Sequence, residues 1–306
     1  MKKNEPRNKT FIEDINYVQK VNPEDLIMRS EDRYHRQIDE LVEEFCEDKR
    51  KKIILVAGPS SSGKTTSTMI IKKQLEKRGI NAIIVSLDDF FLDLKKRPVL
   101  ADGSYDYESI NTLDLKCFGK FIDTILKTGQ AKMPSYNFLT GTRRKKLIDV
   151  QLDKNSILLV EGLHALNPML LRGHNSEVYK VYICINTDFY YENKIVLPAK
   201  ELRFMRRCLR DYHCRNLSIQ RSLKLWPGVL QGEDIYIKPY KMWADYVLDS
   251  THHYELSMYA KYLQPIAKEI DDAKIERWKT VFDIVKPMDK SNAPEDSLLW
   301  EFLPRN

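Results

Sequence analysis

Gly58-Pro59-Ser60-Ser61-Ser62-Gly63-Lys64-Thr65 is the stretch whose reading decides the fold. It follows a short apolar run, Ile53-Ile54-Leu55-Val56-Ala57, and opens a segment of helical character from Thr66 to Arg78. Strand, loop and helix in that order are the context that a G-x-x-x-x-G-K-[ST] phosphate loop needs. Gly58 and Gly63 permit the tight turn that points successive N–H groups inward at a polyphosphate. Between them, Pro59, Ser60, Ser61 and Ser62 form the rest of the cradle, and the positive end of the following helix strengthens its field. Lys64 can reach the β- and γ-phosphates, and the Thr65 hydroxyl can hold Mg²⁺. A chance Gly/Ser/Lys turn is the alternative, and the flanking strand and helix argue against it. The chain is therefore expected to bind a nucleoside triphosphate.

Composition frames that expectation. A chain of 306 residues at 42% hydrophobic can build one large α/β domain with something left over. Fifty basic and 44 acidic residues leave a net charge of +6, which suits anionic substrates but does not itself argue for nucleic acid. Five scattered cysteines (Cys46, Cys117, Cys184, Cys208, Cys214) contain no C-x-x-C pair, which suits free thiols in a reducing cytoplasm. No signal peptide is read at Met1 to Pro6. The most apolar long stretch, Ile157 to Leu171, is broken by Glu161, His164, Asn167 and Pro168, so no membrane span is expected.

Outward from the loop, residues 1–50 read as a lead-in. Ile38, Leu41, Val42 and Phe45 recur there at helical spacing behind a helix start at Asn22-Pro23-Glu24-Asp25. This is either a helix packed on the main domain or a docking arm. Asp48 to Lys52 reads as a solvated strand entrance. Ala82 to Leu87 is a second buried strand that delivers Asp88-Asp89 at its carboxyl end, where ligands bind in open parallel sheets. A carboxylate there can accept the proton of a substrate hydroxyl or help hold a metal, whereas Asp-Asp can also simply cap a turn. Ser156 to Glu161 is a third strand, ending in an acid suited to Mg²⁺. Val178 to Ile185 and Ala244 to Leu248 add two more strands, and helices are expected over Leu115 to Lys127 and Leu256 to Ile270. Strands alternating with helices imply a parallel sheet covered on both faces. Tyr105-Asp106-Tyr107-Glu108 and Met133 to Phe138 are loop clusters able to stack and hydrogen-bond a small planar group, although aromatics in loops more often pack. Arg203, Arg206, Arg207 and Arg210 share one face of a helix, and guanidinium forks suit phosphate oxygens, so a closing lid is expected. A solvated charged helix is its alternative. His252-His253 reads as loop, and the proline-bearing tail after Lys286 as loosely ordered.

In order along the chain, Gly58 to Thr65, Val85 to Phe91, Tyr105 to Tyr107, Pro134 to Phe138, Leu158 to Gly162 and the arginine helix resemble the uridine kinase/phosphoribulokinase family, over roughly residues 50 to 270. Glu161 to Pro168 and Leu225 to Val229 resemble a bacterial branch in which a uridine kinase-like domain often follows a TGS domain. By position, Asp88 resembles the family's catalytic base, which takes the proton of a sugar 5′-hydroxyl. Asp106, with Tyr105 beside it, resembles the residue that binds the ribose hydroxyls, and Tyr136 the aromatic that helps hold the base. Arg207, Arg210 and Arg215 resemble lid arginines that grip nucleotide phosphates, and Arg206 is expected among them. Two positions depart from the uridine–cytidine kinases. Thr140-Gly141-Thr142-Arg143 replaces their pyrimidine-reading histidine, and Phe91 replaces a tyrosine, so the base is left unassigned.

The resulting expectation is a P-loop α/β fold with an arginine-rich lid. It divides into a helical extension (1–50), a nucleoside kinase-like domain (51–275) and a tail (276–306). ATP and Mg²⁺ are the expected cofactors, with Lys64, Asp88, Arg207 and Arg210 catalytic, and Thr65 and Glu161 on the metal. A small-molecule acceptor is expected, with no nucleic acid or membrane partner. Relatives often assemble as dimers or tetramers, but no segment here decides that. The alternatives are a kinase for a sugar phosphate or pantothenate, or a nucleotide-gated regulator that hydrolyses ATP slowly.

Overall fold

The computed structural model describes residues 7–100, 103, 105–170 and 173–304; residues 1–6 of the extension and 305–306 of the tail lie outside the described residues. Ile53–Ala57 is buried along its whole length. Its side chains alternate between two cores, with Ile54 and Val56 in one and Ile53, Leu55 and Ala57 in the other. A strand apolar on both faces needs a layer of structure on each. It lies at the centre of a five-stranded sheet ordered Tyr246–Asp249, Val178–Cys184, Ile53–Ala57, Ser156–Glu161, Asn81–Ser86. Every pairing in this sheet is parallel. The chain thus builds one side of the sheet from the central strand and then crosses to the other. That reversal opens a crevice at the carboxyl edge beside Ala57, where ligands of such sheets bind.

The register fixes what meets in the crevice. Glu161 stands opposite Val56 on one neighbour and Ser86 on the other. The carboxyl ends of three adjacent strands therefore deliver the phosphate loop, Glu161 and Asp88 to one edge. The helix Lys64–Lys77 covers one face with Ile71 and Leu75. Leu115–Thr128 covers the other with Phe118, Phe121, Ile122 and Ile125.

The amino-terminal segment joins the same core. Asn22 caps the helix Pro23–Glu47 by accepting from the Asp25 N–H at 3.2 Å, with Pro23 in the first turn, where its missing N–H costs nothing. This helix buries Leu26, Ile27, Tyr34, Ile38, Leu41, Val42 and Phe45, and the Tyr34 hydroxyl meets Ser67 Oγ on the phosphate-loop helix at 2.7 Å. Before it, Asn8–Phe11 pairs in parallel with Thr187–Tyr191, whose antiparallel partner is Lys194–Leu197; none of these three strands was read from the sequence.

The tail differs from expectation. The loose order expected after Lys286 is corrected by burial: Leu298, Leu299 and Phe302 are wholly enclosed and Leu303 nearly so. The prolines do not loosen this segment, because a short turn at Leu298–Glu301 seats the apolar residues against the phosphate loop and the arginine helix. The helix Ala273–Ile284, with Ile275, Trp278, Val281 and Phe282 inward, leads into it.

Candidate active site

The loop is shaped by close approach. A Cβ on Gly58 would lie 2.1 Å from the Ile183 carbonyl oxygen, and one on Gly63 2.5 Å from Leu298 Cδ1. Gly63 also has φ +87°, and Ser61 adopts φ 61°. Gly63→Ala is accordingly expected to cost about 1–3 kcal/mol for the left-handed backbone alone, read as a lower urea midpoint. Ser250 Oγ donates to the Ser62 carbonyl at 2.7 Å, and Ser67 Oγ to the Gly63 carbonyl at 2.7 Å, which locks the turn from outside. The hydroxyls of Ser61 and Ser62 are buried without a hydrogen-bond partner among the described residues. Buried polar atoms normally have partners, so this cradle is built for a polar group. Lys64 Nζ donates to the Pro59 carbonyl at 3.0 Å. Burial pulls its ammonium below the ordinary value, while Glu161, Glu301 and Asp88 act in the opposite direction.

Glu161 accepts from Ser86 Oγ at 2.6 Å through Oε1. Its other oxygen, and the exposed Thr65 hydroxyl, take no hydrogen bond among the described residues. Hard oxygen donors left free beside a phosphate loop fit Mg²⁺. Asp88, second residue of the turn Leu87–Phe90, is pushed up to about 6 by burial and then by Glu161, against the pull of Lys64. A carboxyl beside another carboxylate in a half-buried edge is poised to exchange a proton near neutral pH. Its neighbour Asp89 accepts from the Tyr136 N–H at 3.0 Å, so it pins the short strand Tyr136–Asn137 to this edge.

The arginine helix, Ala199–Arg215, lies over the loop and separates the four arginines by role. Arg207 and Arg210 direct Nη groups at Ser60 Oγ from 3.3 and 3.4 Å, and burial lowers both guanidinium groups from their ordinary value. The fully buried Asp211 gathers Arg207, Arg210 and Arg215 at 3.2, 3.3 and 3.3 Å. Arg203 donates to the Ser60 carbonyl at 3.1 Å, pairs with Glu233 and lies over Trp226. Arg206 is the correction. It is wholly buried, binds both oxygens of Glu255 at 2.7 and 2.8 Å, and reaches Ser250 Oγ and the Ser250 carbonyl at 3.1 and 2.8 Å. With these donors engaged in the core it is not free to grip a nucleotide.

On the acceptor side, Asp106 Oδ1 accepts from the Glu108 and Ser109 N–H groups, both at 3.0 Å, and Oδ2 lies 3.5 Å from the Tyr236 hydroxyl. Tyr105 is half-buried, bridged to Val99 and edge-on to Tyr107. Tyr136 is buried edge-on to Phe91 and to the exposed Phe138. Sequence reasoning missed Arg97. Its guanidinium lies 4.2 Å from the Phe91 ring centre and 5.0 Å from that of Tyr136, with Nη2 buried and without a hydrogen-bond partner among the described residues. Glu108, read only as part of the loop cluster, is raised by burial and faces the charges of Arg207 and Lys64; sequence reasoning also missed His164, lowered to about 4 by burial. Gly232 makes room for Glu108, since a Cβ there would fall 2.3 Å from Glu108 Cβ. The bare Gly232 was the only trace of this packing in the sequence.

A phosphate loop on a central parallel strand, with an acid at the end of the next strand and a basic helix above, defines a P-loop α/β fold. Residues 53–257 match the model of the phosphoribulokinase/uridine kinase family, and the chain belongs to that family. Its kinase chemistry is that of the family. The uridine kinase of Staphylococcus aureus (strain JH9) is 30% identical over 206 residues, covering 65% of this chain and 88% of the relative. Among solved structures, a Silicibacter sp. TM1040 protein named for a fructose transport system kinase is 16% identical with a TM-score of 0.51, over 69% of this chain and 98% of that one. The phosphoribulokinase of Rhodobacter spheroides is 20% identical with a TM-score of 0.44, over 65% and 69%. Among the described residues, no helix is long and apolar enough to cross a membrane.

Proposed function

We propose that the chain transfers the γ-phosphoryl group of ATP to a hydroxyl of a nucleoside, at the sugar 5′ position. The observation that carries this reading is Asp88, raised to about 6 at the sheet edge beside Lys64 and Glu161. Asp88 accepts the acceptor hydroxyl's proton as the new P–O bond forms. Lys64 and the loop amides hold the β- and γ-phosphates, and Arg207 and Arg210 lie where charge grows on the transferring group. Thr65 and Glu161 would hold Mg²⁺, which when bound neutralises phosphate charge. Asp106 would bind ribose hydroxyls through Oδ2, the oxygen not engaged by backbone. Catalysis here is positioning and electrostatics more than covalent chemistry. The five cysteines are all unpaired thiols, which suits a reducing cytoplasm.

One observation favours a second reading. Arg97 lies over both Phe91 and Tyr136, and Tyr136 is the ring expected to help hold a base. A smaller acceptor carrying an anion, such as a sugar phosphate, would meet that cation without needing an aromatic platform for a base. ATP consumption against a panel of nucleosides and ribose-containing metabolites separates the two. The first reading expects one nucleoside to accelerate turnover. Acceleration only by phosphorylated sugars favours the second, and a flat panel returns the regulator reading to the lead.

A further inference from the structure

Glu301, from the tail, reaches the first turn of the phosphate-loop helix. Its Oε2 accepts from the Thr66 backbone N–H at 3.4 Å and from Thr66 Oγ1 at 2.9 Å. Thr66 directly follows the Gly-Lys-Thr end of the loop, where N–H groups cradle the α- and β-phosphates of a bound triphosphate. An anion on the same chain already holds that place. A carboxylate at a helix start is ordinarily a stabilising cap, and such caps come from neighbouring residues; this one comes from 235 positions away.

The rest of the segment is anchored independently. Leu298 lies against Gly63, and Phe302 lies under the Arg206 guanidinium at 5.0 Å. Ser297 Oγ meets the Tyr254 hydroxyl at 2.9 Å, and Tyr254 donates to Glu31 of the amino-terminal helix. The charge of Glu301 also reaches Lys64 and Arg210. The segment that makes these contacts, Ser297 to Phe302, lies beyond residue 257, where the family match ends.

We propose that the carboxy-terminal segment is an autoinhibitory latch, in which Glu301 holds the Thr66 donors that the α-phosphate of the donor nucleotide takes, so that nucleotide binding must lift Glu301 away. The inference rests on reading the loop as the triphosphate site. Two anions cannot share one pair of donors, so the closed latch lowers the binding-competent fraction and weakens apparent affinity in proportion. If nine molecules in ten are closed, the loss is about tenfold.

The test measures ATP binding by calorimetry and backbone hydrogen exchange over residues 298–303, on the full-length protein and on Glu301→Gln. Glu301→Gln is expected to bind ATP up to about tenfold more tightly, with its KM for ATP falling more than its kcat changes. ATP is expected to speed exchange over 298–303 in the unaltered protein, a reading that needs no variant to fold. Unchanged or weaker ATP binding by Glu301→Gln overturns the latch, as does protection of 298–303 by ATP. Failure of the donor reading looks different. Neither protein would then bind ATP, and Lys64→Ala would change nothing.

Discussion

Asp88→Asn is expected to lower the rate of phosphoryl transfer by about 10²- to 10⁴-fold, the range for loss of a positioned general base, while leaving ATP binding nearly intact. The amide keeps the shape of the side chain but cannot take a proton. The pH profile gives the sharper check. Asp88 is held near 6 by burial and by Glu161, so below pH 6 it is protonated and idle, and kcat should rise with pH through that value. The variant should lose this limb. Stability should move the opposite way. A carboxyl whose folded value lies above its unfolded value of 3.8 stabilises the fold when protonated, and that contribution fades as pH rises from about 4 through 6. At pH 8 the variant should therefore be more stable than the unaltered protein, by something on the order of 1–3 kcal/mol. Urea melts at pH 5 and pH 8 read this directly. An unchanged acid limb in Asp88→Asn would remove Asp88 from the base role.

The strands that carry the site were legible because each turns apolar side chains to both layers. Such strands leave continuous apolar runs, and those runs end in the very residues that reach the crevice: Ala57 before the loop, Leu87 before Asp88, Val160 before Glu161. The hairpin Thr187–Leu197 left no such run. Its turn at Glu192 and Asn193 takes positive φ at both positions, 48° and 62°, without the glycine that usually marks one. The tail was misread for a related reason. Its buried Leu298, Leu299, Phe302 and Leu303 fall within six residues at one short turn, too brief for periodicity to register, and the prolines around it read as loose order. Arg97 was invisible for another. Only the fold brings Phe91 and Tyr136 to its two sides, and Asp89 is what holds Tyr136 there.

Spacing also gave four arginines one role, and the packing divides them. Arg206→Ala is expected to destabilise the protein by about 3–5 kcal/mol, because it leaves the Glu255 carboxylate buried with no charge partner. Both side chains have no exposure at all, so water cannot compensate. Against a typical total of about 5–15 kcal/mol, that is a large share of the fold's stability, and a urea melt should show it plainly. The replacement also loosens Ser250, which Arg206 holds and which in turn grips the Ser62 carbonyl, so weaker nucleotide binding should follow from loop disorder. Arg206→Met with Glu255→Leu separates the two effects. Removing both charges avoids the stranded carboxylate and should recover much of the stability, whereas a guanidinium that gripped phosphate would leave the double variant as impaired in kcat as the single one. Arg207→Ala and Arg210→Ala should give the converse pattern, with turnover reduced more than stability, because their Nη groups lie at the loop and each change leaves the buried Asp211 two arginine partners. If Arg206→Ala instead melts normally and loses only turnover, the buried pair is not what holds this helix to the loop.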